Sequence, residues 1–170
     1  SFHISLKGDK DMDYKIIDRE GFKIVGKSIK VTTREGENYR RIPQFWMESY
    51  QNGTYERLCT LSKKQEILGI CADFCAQKEE MTYLIAVEKS EGVIPEDMVE
   101  REIPAATWAV FESVGPIPGE IQKVWQRIFT EWFPATGYEH DNAPELEVYP
   151  MGDANAENYR CEVWIPIVKK

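Results

Sequence analysis

Histidine is nearly missing from this chain of 170 residues, which has only His3 and His140. The four cysteines, Cys59, Cys71, Cys75 and Cys161, form no Cys-x-x-Cys pair. Together these absences argue against a zinc site. Positive charge is also short: 21 Lys and Arg face 29 Asp and Glu, a net charge of −8. Nucleic-acid affinity rests on neutralising phosphates, so this balance speaks against a phosphate-backbone partner and suits a chain that attracts cations. No apolar run approaches the roughly 18 residues of a spanning helix, and no membrane partner is expected. Gly-x-Ser-x-Gly elbows, phosphate-cradling glycine loops and His-Glu-x-x-His pairs are absent too, which leaves catalysis few starting points. Cys71 and Cys161 lie in apolar strand-like runs, where free cysteine acts as a small buried hydrophobe. That usage points to a reducing compartment, the cytoplasm.

What is present is globular: 42% hydrophobic and 29% charged residues, enough for one domain or two small fused halves. One pattern is written twice. The first copy opens with a strand over Phe22 to Thr33, where Ile29 and Val31 alternate with polar residues. A helix follows, with Ile42, Phe45, Trp46 and Ser49 at i, i+3, i+4 and i+7 and a stop at Asn52-Gly53. Strands then fit Ile67 to Phe74 and Met81 to Glu88. The second copy starts with a strand over Thr107 to Val114. Its helix carries the apolar stripe Ile121, Val124, Trp125, Ile128 and Trp132. Strands over Glu145 to Tyr149 and Arg160 to Val168 complete it. Trp46 and Trp125 mark equivalent points, about 80 residues apart. The pattern predicts an α+β fold from a tandem duplication, with two small sheets side by side and a ligand cleft at their seam.

Several ordered motifs carry a family resemblance. Glu131-Trp132-Phe133-Pro134, Gly137-Tyr138-Glu139, Pro144-Glu145-Leu146-Glu147-Val148-Tyr149 and Cys161-Glu162-Val163-Trp164-Ile165-Pro166-Ile167 resemble the GyrI-like small-molecule-binding family. Ala105 to Glu112 and Ile85-Ala86-Val87-Glu88 fit the same pattern. This family includes effector-binding domains at the C-terminus of AraC-type transcription regulators. The resemblance implies two SH2-like strand-helix-strand-strand units related by a pseudo-two-fold axis. It also implies an amphipathic, often cationic, aromatic ligand in the cleft between them. No cofactor is expected. The expected layout is a linker over residues 1–13 and an effector-binding domain over 14–170, with units of about 14–90 and 102–170. Ser1-Phe2-His3-Ile4-Ser5 is similar to the linker after a helix-turn-helix region. DNA would then be met only through such a region, which these 170 residues do not contain. The alternative is a stand-alone protein starting near Met12.

Strand parity nominates ligand residues, because successive side chains point to opposite faces. On the last strand Cys161, Val163, Ile165 and Ile167 should pack on the helices, leaving Arg160, Glu162 and Trp164 toward the cleft. On the strand before it, Leu146 and Val148 are assigned to the helix side. Glu145, Glu147 and Tyr149 then share the face of Glu162. Two acids and two rings on one surface suit a flat cation. The resemblance places the family's cleft glutamate on Glu162; the plain alternative has Glu162 facing water or pairing with Arg160. Trp108 is a further ring platform, Phe45 and Trp46 could reach the cleft from the first helix, and Tyr83 could flank its entrance. Trp125 and Trp132 are read as core. As an alternative to a sensor, GyrI-like hydrolases of cyclopropane-bearing compounds suggest Glu162 with Tyr149 or Tyr83 as a catalytic set. Gyrase-inhibiting relatives suggest a protein-interaction module.

Overall fold

The computed structural model describes residues 12–89 and 91–170, so the linker expected over residues 1–13 lies almost wholly outside the described residues. In chain order the elements are β1 (Tyr14–Arg19), β2 (Phe22–Thr32), a 3-10 turn (Arg34–Gly36), α1 (Glu37–Gln51), α2 (Thr54–Leu61), β3 (Glu66–Cys75) and β4 (Glu80–Glu88). There follow β5 (Val99–Ile103), β6 (Ala106–Val114), α3 (Gly119–Arg127), a π-helical turn (Ile128–Trp132), α4 (Phe133–Ala135), β7 (Tyr138–His140), β8 (Glu145–Pro150) and β9 (Arg160–Lys169). The fold is α+β.

Asn52-Gly53 does stop α1, with Gly53 in the left-handed region at φ 83°. It also starts α2, because the Asn52 side chain accepts from the Thr54 N–H at 3.0 Å. That second helix, which buries Thr54 and Leu58, is absent from the sequence reading. So are the strands β1, β5 and β7. All three are short, and β1 and β5 lie at the sheet edges, where alternation is weak.

Eight strands form a sheet in the order β1-β6-β9-β8-β3-β4-β2-β5, and β7 pairs with the end of β9. The order reads alike from both edges and meets at the β3–β8 seam. One correction follows. The halves are not separate sheets, because β3 and β8 pair across the seam from Glu66↔Pro150 to Cys71↔Glu145. The edge strands cross between the halves: β1 pairs with β6, and β5 pairs with β2.

The connections force the sheet to curl. Two residues, Glu20 and Gly21, join β1 to β2, six strand positions away; Pro104 and Ala105 join β5 to β6 across the same number. A flat sheet would separate these strands by about 29 Å at strand spacing. Three Cα steps reach only about 11 Å. The sheet therefore closes toward a barrel, and its inner face becomes a core: Ile24, Ile70, Leu84, Ile103, Trp108 and Leu146 are all buried there without a covering helix. The outer face carries the helices. Phe45 and Leu58 pack over Ile67, Ile85 and Val87 on the first half. Ile121, Ile128 and Trp132 pack over Phe111, Val163 and Ile165 on the second.

Candidate functional site

Parity on β9 stands as read: Cys161, Val163, Ile165 and Ile167 pack against the helices, and Trp164 packs on the inner face. On β8 it is inverted. The register pairs Leu146 with Trp164 and Val148 with Glu162, so these two apolar residues line the inner face. Glu147 lies opposite Val163, and it and Tyr149 point to the helix side at the seam. The physical reason is the curl: the inner face is itself a core, so the apolar row of β8 belongs inside it. The nominated residues therefore divide between two places, with Glu147, Tyr149, Tyr83 and Trp46 at the seam and Glu162 and Trp164 on the inner face.

Trp108 and Phe45 belong to neither mouth. Trp108 is 0% exposed inside the curl and packs edge-on to Trp164 at 5.7 Å between ring centroids. Phe45 is buried over β3 and β4, with its ring 6.4 Å from that of Tyr83. Large aromatics at such positions serve packing first.

The seam is built around Glu147. Its Oε2 accepts from Trp125 Nε1 at 2.6 Å, and its Oε1 from the Tyr149 hydroxyl at 2.8 Å. Trp46 donates Nε1 to the Tyr83 hydroxyl at 2.8 Å and meets the Tyr149 ring edge-on at 5.6 Å. α1 thus delivers Trp46 and α3 delivers Trp125 to one carboxylate and two phenols on the strands beneath. Trp125, read from sequence as core, is the residue missed. The sequence pattern that sets Trp125 opposite Trp46, about 80 residues apart, is the signal that points to it.

Gly69 on β3 makes the space. It stands beside Glu147 in the register. A Cβ there would collide with the Tyr83 hydroxyl and come within 3.4 Å of both Glu147 Oε1 and the Trp46 ring. Outward from the seam, Tyr50 lies tilted against Trp46 at 6.3 Å, and Phe129 stacks on Trp125 at 6.2 Å. Both outer rings are about half exposed.

Electrostatically the seam is an acid without a counter-charge. Glu147 has no ion-pair partner among the described residues. Burial pushes its carboxyl above the usual range, against the pull of the Trp125 and Tyr149 hydrogen bonds, and Glu145 adds to the rise. Burial also drives the Tyr83 and Tyr149 hydroxyls far up, with Glu147 contributing to both. Both phenols are therefore neutral: Tyr149 donates to Glu147, and Tyr83 accepts from Trp46. No group of three or more His, Cys, Asp or Glu residues is arranged to hold a metal among the described residues.

Comparison with known proteins supplies the family. Residues 15–167 match the family Cass2, the integron-associated effector-binding proteins. The chain belongs to this family. Among relatives of the Cass2 and GyrI-like group, the transcriptional regulator BrlR of Pseudomonas aeruginosa is 27% identical over 93% of this chain. The chain spans 56% of that protein's length. A DNA gyrase inhibitor of Erwinia billingiae is 26% identical over 93% of this chain and 99% of its own length. The solved structure of SAV2435 bound to tetraphenylphosphonium shares the fold with a TM-score of 0.83 at 23% identity, covering 92% of this chain and 94% of that one. The integron cassette protein of Vibrio cholerae shares it at 0.68 and 16% identity, over 91% and 95% of the two chains.

Proposed function

We propose that this Cass2-family domain binds a lipophilic aromatic cation at the β3–β8 seam, with Glu147 as counter-charge and Trp46, Trp125 and Tyr149 as ring walls. One observation carries this reading: a desolvated carboxylate ringed by aromatics, with donors but no cation beside it. A buried carboxylate of that kind gains most from a ligand that brings positive charge without needing water. A fold neighbour that holds tetraphenylphosphonium supports the same ligand chemistry. Binding between α1 and α3 would report occupancy through helix positions, which suits the sensing part of a transcription regulator. The relation to BrlR supports that use.

The domain acts as a binder rather than a catalyst in this reading. Glu147 is held by two neutral donors, and the histidine in the described residues, His140, is instead paired with Glu145 at 2.9 Å. The near full-length match to a gyrase inhibitor favours a second reading, a module that binds a protein partner.

The test is titration of tetraphenylphosphonium against a neutral triphenylphosphine oxide, followed by tryptophan quenching. Glu147→Gln should weaken the cation by about 1.5–3 kcal/mol, the range of a charge-assisted contact. The neutral compound should be little affected. Equal losses for both ligands would remove the counter-charge role. Ligand recovered chemically intact after long incubation supports sensing over turnover.

A further inference from the structure

A cavity opens on the inner face of the curled sheet, across the sheet from Glu147. Its volume is about 200 Å³. The floor is the apolar row Leu68, Leu146 and Val148, each no more than 5% exposed. Phe22, at the start of β2, and Trp164 on β9 line its walls. The Arg19 guanidinium lies 3.8 Å from the Phe22 ring centroid and 5.8 Å from that of Trp164. The two-residue link from β1 to β2 creates this mouth, by bringing the end of β1 over the ends of β3 and β4.

The charges around the mouth do not balance. Glu88 takes both neighbouring cations, Arg19 at 2.8 Å and Lys64 at 3.1 Å. Glu66 and Glu162 are left with no ion-pair partner among the described residues. Glu162 accepts one bond from Trp164 Nε1 at 3.0 Å. Glu66 bonds to Ser62 only through its backbone, as donor from its N–H and acceptor at its C=O. Three carboxylates against two cations leave one negative charge beside an apolar floor.

We infer that this mouth binds a small organic monocation, a primary ammonium on a short or single-ring body. The ammonium sits between Glu66 and Glu162, and the body lies against Trp164 and the Leu68–Val148 floor. Three N–H donors match the carboxylate oxygens left open, and the ring face favours the charge. The cavity lies below the roughly 300–1,000 Å³ of drug-sized pockets, so a bulky cation suited to the seam does not fit. A bare inorganic cation would leave the apolar floor unused. Burial pushes the Glu66 carboxyl up; Lys64 opposes that rise, and Glu162 and Glu88 add to it. A carboxylate short of one counter-charge behaves this way. No side chain of this mouth is among those around Glu147 on the opposite face of the sheet, so the two sites can fail separately.

The experiment titrates 2-phenylethylammonium by calorimetry into the wild type and into Glu66→Gln, Glu162→Gln and Glu147→Gln, with tetraphenylphosphonium run in parallel. Glu66→Gln and Glu162→Gln should each weaken the amine about tenfold or more, as loss of a charge-assisted bond does. Glu147→Gln should leave it unchanged. Neutral 2-phenylethanol should bind the wild type about tenfold less tightly than the amine, on the same charge-assisted ground. If a glutamine variant does not fold, that amine-to-alcohol comparison, together with a ligand-induced shift of the Trp164 indole resonance, decides. Absence of saturable amine binding, equal affinity for amine and alcohol, or loss of amine binding in Glu147→Gln would overturn the assignment. Tetraphenylphosphonium binding indifferent to Glu147 would instead overturn the seam reading and leave this one standing.

Discussion

Glu147 and Gly69 face each other across the β3–β8 seam, and the missing side chain of one makes room for the environment of the other. Gly69→Ala should therefore destabilise by about 1–3 kcal/mol, as overpacking does, and weaken cation binding. Adding Tyr83→Phe, which removes the hydroxyl that the new methyl would strike, should return part of the stability in chemical denaturation. No recovery would place the strain elsewhere. The Glu147 carboxyl also predicts two opposite pH trends. Its folded pKa is raised, so its contribution to stability is fully present below the unfolded value, about 4.3, and is lost as pH rises through the folded value. A cation pairs with the ionised form, so its affinity should rise over that same interval. Cation affinity that is flat with pH, measured at constant ionic strength, would contradict the role given to Glu147.

At the scale of elements, α1 and α3 each present one tryptophan to the seam, and they do so unequally. Trp125 donates to the carboxylate, whereas Trp46 donates to a phenol. Trp125→Phe keeps a ring but removes a bond that holds the Glu147 pKa down. The pH at which cation binding strengthens should move up in that variant, and stay put in Trp46→Phe. Trp132, 4% exposed at the end of the π-helical turn, is a packing residue, and Trp132→Ala should cost about 3–5 kcal/mol. Helix periodicity alone treats Trp125 and Trp132 as one stripe. What separates them is the strand beneath: an acid under Trp125, and apolar residues under Trp132.

At the scale of the whole molecule, closure of the sheet rests on two two-residue links and on contacts between strands far apart in sheet order. Arg19 of β1 reaches Glu88 of β4 at 2.8 Å. Burial works to raise the Glu88 carboxyl, but the bonds from Arg19 and Lys64 outweigh it and hold the pKa low. That depressed value contributes stability above the unfolded pKa, which is lost as pH falls through the folded one. Arg19→Ala should cost about 1–3 kcal/mol at neutral pH, the penalty of stranding a buried charged acceptor. It should also flatten the acid limb of the stability profile; an unchanged limb would show that Lys64 suffices.

Much of the secondary structure was legible in the residues themselves. Alternation located β2, β3, β4, β6, β8 and β9 within a residue or two, and the 3.6-residue stripes located α1 and α3, because local geometry sets those periods. The motif spacings around Glu147 and Glu162 also carried the family. Composition set the acidic character that both proposed sites use. Tertiary structure alone decided which face of β8 is which. A strand in an ordinary half-covered sheet shows its apolar row to the helices, and by that rule Leu146 and Val148 belong to the helix side. Here two short links curl the sheet until its inner face excludes water by itself. Both faces of β8 are then enclosed, and no local pattern says which enclosure takes the leucine and which the glutamate. The register with β3 and β9 settles it, and sends Glu147 to the seam and Glu162 to the inner face.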